Sequence, residues 1–223
     1  MPTIIHTDEH NTQNNNKNVW MRIFSLSPYI ATYVGLYIFH NAIISLLIYH
    51  TWLAIALIIY RKNIDYTNIT QWKNKKLLLL SVIIALLSGV IVWFARDLMK
   101  NPDLILTSTL TDFHLSKNIL LPFLLYFSTV HPILEELYRR FLLPSTAKYI
   151  SASDILFAWY HFEVLILFIQ PEYAIVCTIA LIIVARIRRF FKNQLQEPGI
   201  VILSHAIADF SIFLAVILLS IKS

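Results

Sequence analysis

Glycine is scarce in this chain. Among 223 residues there are three, Gly35, Gly89 and Gly199, too far apart for a Gly-x-Ser-Gly or a Gly-x-Gly-Asp motif. His-Glu-x-x-His, the helix-borne zinc motif, is absent as well. The single cysteine, Cys177, excludes a disulfide within the chain, and its apolar surroundings predict a buried structural thiol. Charged residues make up 14% of the sequence, against roughly 25% in an ordinary soluble domain. The few glycines and the lack of alternating ten-residue segments argue against an outer-membrane barrel. No basic face interleaved with aromatics stands on a soluble domain, which argues against a nucleic-acid partner.

What the chain has in quantity is apolar sequence: 57% hydrophobic residues and a mean hydropathy of +0.64. Several runs approach the roughly 17–25 residues needed to cross a bilayer. The expected class is all-α, a polytopic transmembrane helical bundle of about six to seven spans, in a single membrane domain over residues 19–223. Residues 1–18 are polar and Asn-rich, do not read as a signal peptide, and are expected to be a disordered tail. Residues 20–60 are too long for one untilted span and read as an interfacial helix plus one span, or as two spans. His40 and His50 lie within them and read as solvated or hydrogen-bonded histidines near an interface. Further spans are expected at 77–94, 119–143, 155–169, 173–184 and 200–221. Basic loops near 61–76, 139–153 and 186–192 alternate with loops that are not net basic. By the positive-inside rule the basic loops face the cytoplasm.

The stretch His131-Pro-Ile-Leu-Glu-Glu-Leu-Tyr-Arg-Arg-Phe141 is unusual for a membrane segment. Glu135 and Glu136 close an apolar run, and Arg140 follows four residues after Glu136. His161 lies about six residues into the next expected span, and His205 and Asp209 lie in the last. At about 1.5 Å per residue all three sets fall roughly 8–15 Å below one cytoplasmic boundary. Each unpaired acid or arginine at mid-helix costs roughly 2.5–3.5 kcal/mol on insertion scales, so these groups must pair or line a wet cavity. Glu136 and Arg140 share a helix face, as do His205 and Asp209, and Asp209 is placed to orient the imidazole.

A carboxylate and an imidazole can hold and deprotonate a water, and a second polar group can stabilise an oxyanion. Glu135, His161 and His205 are equally an acceptable zinc triad, and the residues alone leave both options open. Plain structural roles exist for each piece: a helix-end ion pair for Glu136–Arg140, helix packing for His161, interhelical hydrogen bonding for His205–Asp209. Glu163 is also intramembrane by this count but lies on the helix face opposite His161.

Together the motifs Glu135-Glu136-x-x-x-Arg140, Phe157-x-x-x-His161 and His205-x-x-x-Asp209 resemble the CAAX-protease and bacteriocin-processing family of intramembrane proteases, over about residues 117–221. The resemblance implies an endopeptidase acting on a membrane-associated, or prenylated, protein or peptide near the cytoplasmic face of the membrane. It implies Glu135 and His161 as the water-activating pair, Glu136 and Arg140 as its support, and His205 and Asp209 on the oxyanion side. Members have been described both as metalloproteases and as metal-free glutamate proteases; no cofactor is favoured here, with zinc as the alternative. The chain departs from the family pattern at Arg139, Phe141 and Ala158, and Arg139 is spaced to damp the basicity of Glu135. The competing expectations are a non-catalytic membrane adaptor or immunity-type protein that keeps the fold, and a proton-coupled transporter. The lack of an internal repeat and of a midplane site counts against the transporter.

Overall fold

The apolar runs become helices in the computed structural model, which describes residues 25–61, 72–139, 145, 147–195 and 198–222. The expected tail 1–18, Arg140 and most of the basic stretch 61–76 lie outside these residues. Among the described residues eight α-helices follow one another: α1 (Ser27–Thr32), continued by a π-helical segment Tyr33–Ile38, α2 (Ala42–Ile59), α3 (Lys75–Met99), α4 (Leu106–Asp112), α5 (Lys117–Leu137), α6 (Ala152–Leu165), α7 (Pro171–Leu195) and α8 (Pro198–Lys222). No strand occurs among the described residues beyond an isolated bridge between Lys100 and Ile169. The all-α helical bundle expected from the sequence is therefore present.

Local sequence explains the helix starts. Asn41 Oδ1 accepts from the backbone N–H groups of Ile43 (2.9 Å) and Ile44 (3.1 Å), and Asn74 Oδ1 accepts from Leu77 (3.0 Å). Helices α7 and α8 each open on a proline, whose missing N–H costs nothing in a first turn. His40 takes a left-handed φ of 47° and separates the π-helical segment from α2.

Among the described residues four helices, α2, α3, α5 and α8, are long and apolar enough to cross a membrane. Six to seven such helices are not found among the described residues. Helix α6 has 14 residues, about 21 Å at 1.5 Å per residue, short of a ~30 Å core. Helix α7 has the length, but Arg186, Arg188, Arg189 and Lys192 occupy its last three turns. That stretch, expected to be a basic loop, is helical. Within 20–60, the described part holds one long helix, α2, preceded by the short α1 and its π-helical continuation.

The bundle is assembled through small residues. Ser81, Ala85 and Gly89 recur every four residues on α3 and are its buried positions, while Leu79, Leu80, Ile83, Ile84, Leu87 and Ile91 face outward. The buried stripe lies on α8. Ser211 Oγ donates to the Ala85 carbonyl (2.8 Å) and sits 3.1 Å from Ser88 Oγ. A Cβ at Gly89 would collide with the backbone carbonyl of Ser211. Helix α5 lies between α2 and α8, burying Leu120, Leu124, Ser128, His131, Pro132, Glu135 and Glu136 along one stripe.

At the basic end, α6 and α7 are held together by Arg189. Its guanidinium donates to both Asp154 oxygens, from Nη2 (2.7 Å) and Nε (3.2 Å), and to the carbonyls of Ala147 and Tyr149. Asp154 Oδ2 also accepts from the Ser151 N–H at 2.9 Å. Burial pushes the Asp154 carboxyl up, but the bonds from Arg189 and Ser151 outweigh it and hold the group below its ordinary value.

Two predictions follow from this packing. Gly89→Ala should lower stability by about 1–3 kcal/mol, read as an earlier thermal transition in detergent, whereas Ser88→Ala should cost only about 0.6 kcal/mol. The depressed Asp154 carboxyl stabilises the fold fully above its unfolded-state value and less as the pH falls through the folded-state value. Asp154→Asn should cost about 3–5 kcal/mol at neutral pH, and thermal scans on descending pH should show a shallower acid-side loss for the variant than for the wild type.

Candidate functional site

Five helices place polar side chains at one point inside the bundle, near the C-terminal end of α5. Glu135 and Glu136 are both 0% exposed. Adjacent on one helix, they point about 100° apart and find different partners.

Glu135 Oε1 accepts from the Tyr160 hydroxyl of α6 at 2.6 Å and from the Tyr49 hydroxyl of α2 at 2.8 Å. Its other oxygen, Oε2, has no hydrogen-bond partner. It stands 3.6 Å from His131 Nε2, one turn back on α5, and 3.6 Å from His205 Nε2 on α8. Glu136 Oε1 lies 2.9 Å from His205 Nδ1 and 3.6 Å from Arg188 Nη1 on α7. A carboxylate only accepts, so His205 supplies its Nδ1–H to Glu136 and keeps a lone pair on Nε2. That lone pair also faces Asp209 Oδ1 at 3.6 Å.

Of the residues singled out in the sequence, the fold brings Glu135, Glu136, His205 and Asp209 together. His161 is a neighbour of a different kind. Its Nδ1 is 2.8 Å from the Phe157 carbonyl of its own helix, and its ring lies against Tyr160 with centroids 4.1 Å apart. It lies within electrostatic reach of Glu135 but makes no hydrogen bond to it. One expected role shifts. Glu136, not Asp209, fixes the His205 ring, because 2.9 Å is a hydrogen bond and 3.6 Å is not. The expected Glu136–Arg140 pair lies outside the described residues; Arg188 Nη1 also lies 3.6 Å from Glu136 Oε1.

Arg139 does not reach Glu135 by a hydrogen bond. Its guanidinium lies over the Phe157 ring, 3.7 Å from the centroid, with Nη2 3.5 Å from the Ser153 carbonyl. Glu163 is remote from the cluster: Tyr37 donates to its backbone carbonyl at 2.7 Å, and one carboxylate oxygen is buried without a partner. Cys177, expected to be buried, is half-buried on α7.

Tyr49, His50, Tyr126, His131, Tyr160 and Arg188 are members of the site that sequence reasoning did not assign. His50 Nε2 lies 3.0 Å from His131 Nδ1, and His50 Nδ1 lies 2.8 Å from the Tyr126 hydroxyl. The available signals were a polar Tyr49-His50 pair inside an otherwise apolar run and the i, i+4 spacing of His131 and Glu135. Arg188 was hidden by its neighbours, since a run of four basic residues reads as a solvated loop.

A cavity of about 50 Å³ lies beside Glu135, bounded by Tyr49, Tyr160, Phe157, Arg139 and Arg189. It is large enough for water. The alternative zinc triad of Glu135, His161 and His205 is left open by this geometry; among the described residues, ligand atoms of His131, His205 and Asp209 lie within 4.8 Å of one another, a spacing that could hold a metal ion. Comparison of the chain with protein-family models, with curated proteins and with solved structures finds no match.

If Oε1 of Glu135 is held by two tyrosines, deleting one leaves a single donor on a buried carboxylate. Tyr49→Phe and Tyr160→Phe should each destabilise the protein by about 1.5–3 kcal/mol. The double variant should depart from the sum, as a thermal-denaturation cycle in detergent would measure.

Proposed function

We propose that this protein is an intramembrane endopeptidase that hydrolyses a peptide bond of a membrane-associated protein or peptide. The observation that carries the reading is Glu135. It is a fully buried carboxylate with one oxygen locked by two tyrosines and the other, Oε2, unpartnered and facing imidazole nitrogens at 3.6 Å. Such an oxygen can take a proton from a water lodged between the helices. His161 suits the same task. Its Nδ1–H donates to the Phe157 carbonyl, which leaves a lone pair on Nε2. The cavity of about 50 Å³ beside Glu135 has room for water next to that carboxylate.

In this mechanism Glu135, aided by His161, removes a proton from water as the oxygen attacks the scissile carbonyl carbon. The proton then passes to the departing amine. His205, anchored by Glu136, and Asp209 stand on the opposite side of the developing tetrahedral centre. The three motifs that resemble the CAAX-protease family support the same assignment, including prenylated proteins among the substrates. In this reading the site lies near the cytoplasmic face of a multi-pass membrane protein, which the basic ends of α5 and α7 support through the positive-inside rule. In this reading α6 and α7, though not counted as spans by length and composition, are embedded with the four long helices and bring the total to six.

One observation favours a second reading. A carboxylate that is 0% exposed and tied to two tyrosines can equally be a sealed structural network, as a non-catalytic adaptor with this fold would keep. The two readings separate on one variant. Glu135→Gln keeps the shape and removes the base, so cleavage of a responsive membrane substrate should fall by about 10²–10⁴-fold while the helical content is unchanged. Equal cleavage by wild type and variant would remove Glu135 from the chemistry. Full biological effect of both Glu135→Gln and His161→Ala in cells would support the adaptor.

A further inference from the structure

The hydrogen bonds around the two buried histidines of the cluster have a common pattern. His205 gives Nδ1–H to Glu136 and turns its Nε2 lone pair inward. His131 is held at Nδ1 by His50, itself held by Tyr126, and also turns Nε2 inward. The two Nε2 atoms face the same carboxylate oxygen, Glu135 Oε2, each at 3.6 Å, and Asp209 Oδ1 lies 3.6 Å from His205 Nε2. Acceptor atoms thus converge on one another in a buried place. Glu135 Oε2 and Asp209 Oδ2 find no donor there. A separation of 3.6 Å is too long for a proton on an imidazole to bridge as a hydrogen bond.

It is, however, the separation a small cation would require. Zinc bonds of about 2.0–2.2 Å in tetrahedral geometry put neighbouring donor atoms about 3.3–3.6 Å apart. Ligand histidines characteristically present one nitrogen to the metal and give the other N–H to a carboxylate or a similar anchor; His205 has Glu136 as that anchor, and His131 Nδ1 lies 3.0 Å from His50 Nε2, a contact either ring can donate. Two imidazole donors select a first-row transition ion over magnesium or calcium, which take oxygen ligands.

We infer that His131, His205 and Asp209 form a binding site for a divalent zinc-class metal ion, with Glu135 Oε2 beside its open fourth position and His50 and Glu136 orienting the two imidazoles. The set excludes His161, whose ring is held by its own helix backbone. Two histidines and one carboxylate, with a glutamate poised beside the remaining position, are what a hydrolytic metal site needs; the ion would there acidify a bound water. That use of the metal rests on the peptidase reading, whereas its binding does not.

The test is metal binding by the full-length protein in detergent, stripped with a chelator and then loaded with zinc or cobalt(II). The wild type should retain one equivalent of zinc by elemental analysis after dialysis and should show the visible absorption of four- or five-coordinate cobalt(II). His131→Ala and His205→Ala should lose the equivalent, and His50→Phe should weaken affinity by about 10–100-fold. His161→Ala should keep both the zinc and the cobalt spectrum. Circular dichroism and a single gel-filtration peak establish that each variant is folded. No stoichiometric uptake by the wild type would overturn the inference, as would retention of zinc by folded His131→Ala. Bound zinc without any peptide cleavage would sink the peptidase reading and leave the metal site standing. Glu135-dependent cleavage by a protein that takes up no zinc would do the reverse.

Discussion

A carboxylate that water does not reach must find its partners inside the protein. Glu135 and Glu136 impose that requirement on the whole bundle. Next to each other in sequence, they point in different directions, so two separate sets of helices must come to meet them. Glu135 draws Tyr49 from α2 and Tyr160 from α6, while Glu136 draws His205 from α8 and Arg188 from α7. Left unmatched, each would cost several kcal/mol in an apolar surrounding. Satisfied, they tie together five helices whose outer surfaces are mostly apolar.

The rest of the fold allows that meeting. Lipid is as apolar as leucine, so hydrophobicity does little to press α3 onto α8; close backbone approach at Gly89 and serine-to-carbonyl bonds do it instead. With α3 flush against α8, and α5 between α8 and α2, the stripe of α5 that carries His131, Glu135 and Glu136 faces inward along its length. The Arg189–Asp154 pair ties α6 to α7 and keeps α6 at the depth at which Tyr160 reaches Glu135. The site is thus satisfied on its Oε1 side and left short of donors on its Oε2 side. That asymmetry is what makes Glu135 chemically interesting.

Much of this was legible beforehand for a plain reason: polar residues in apolar runs are costly, and their cost marks them. Glu135, Glu136, His205 and Asp209 stood out on those grounds, and their equal depth already suggested that they meet. The same logic overlooked His50 and Tyr49. Aromatic and imidazole groups carry a smaller penalty, and an unremarkable interfacial role explained them. It misjudged Arg188 and Arg189 in the opposite way. Their charges read as exposure, whereas each reaches a buried carboxylate across a helix boundary that the sequence does not mark. The span count suffered likewise, because an apolar run of 15 residues and a 14-residue helix say nothing of whether neighbours complete the crossing.

The sequence by itself determined the class of the molecule and the stretches that pay for polar groups in apolar surroundings, because helix length, hydropathy and residue spacing along one helix are local properties. Only the tertiary structure decided which oxygen meets which nitrogen. Glu136 rather than Asp209 holds the His205 ring, Tyr49 and Tyr160 hold Glu135, and His131 rather than His161 shares a donor cluster with His205. These pairings depend on the rotation and axial shift of one helix against another. A few tenths of a turn exchanges one partner for the next, and that offset is set by the small residues and buried bonds between helices, far along the chain from the residues they position.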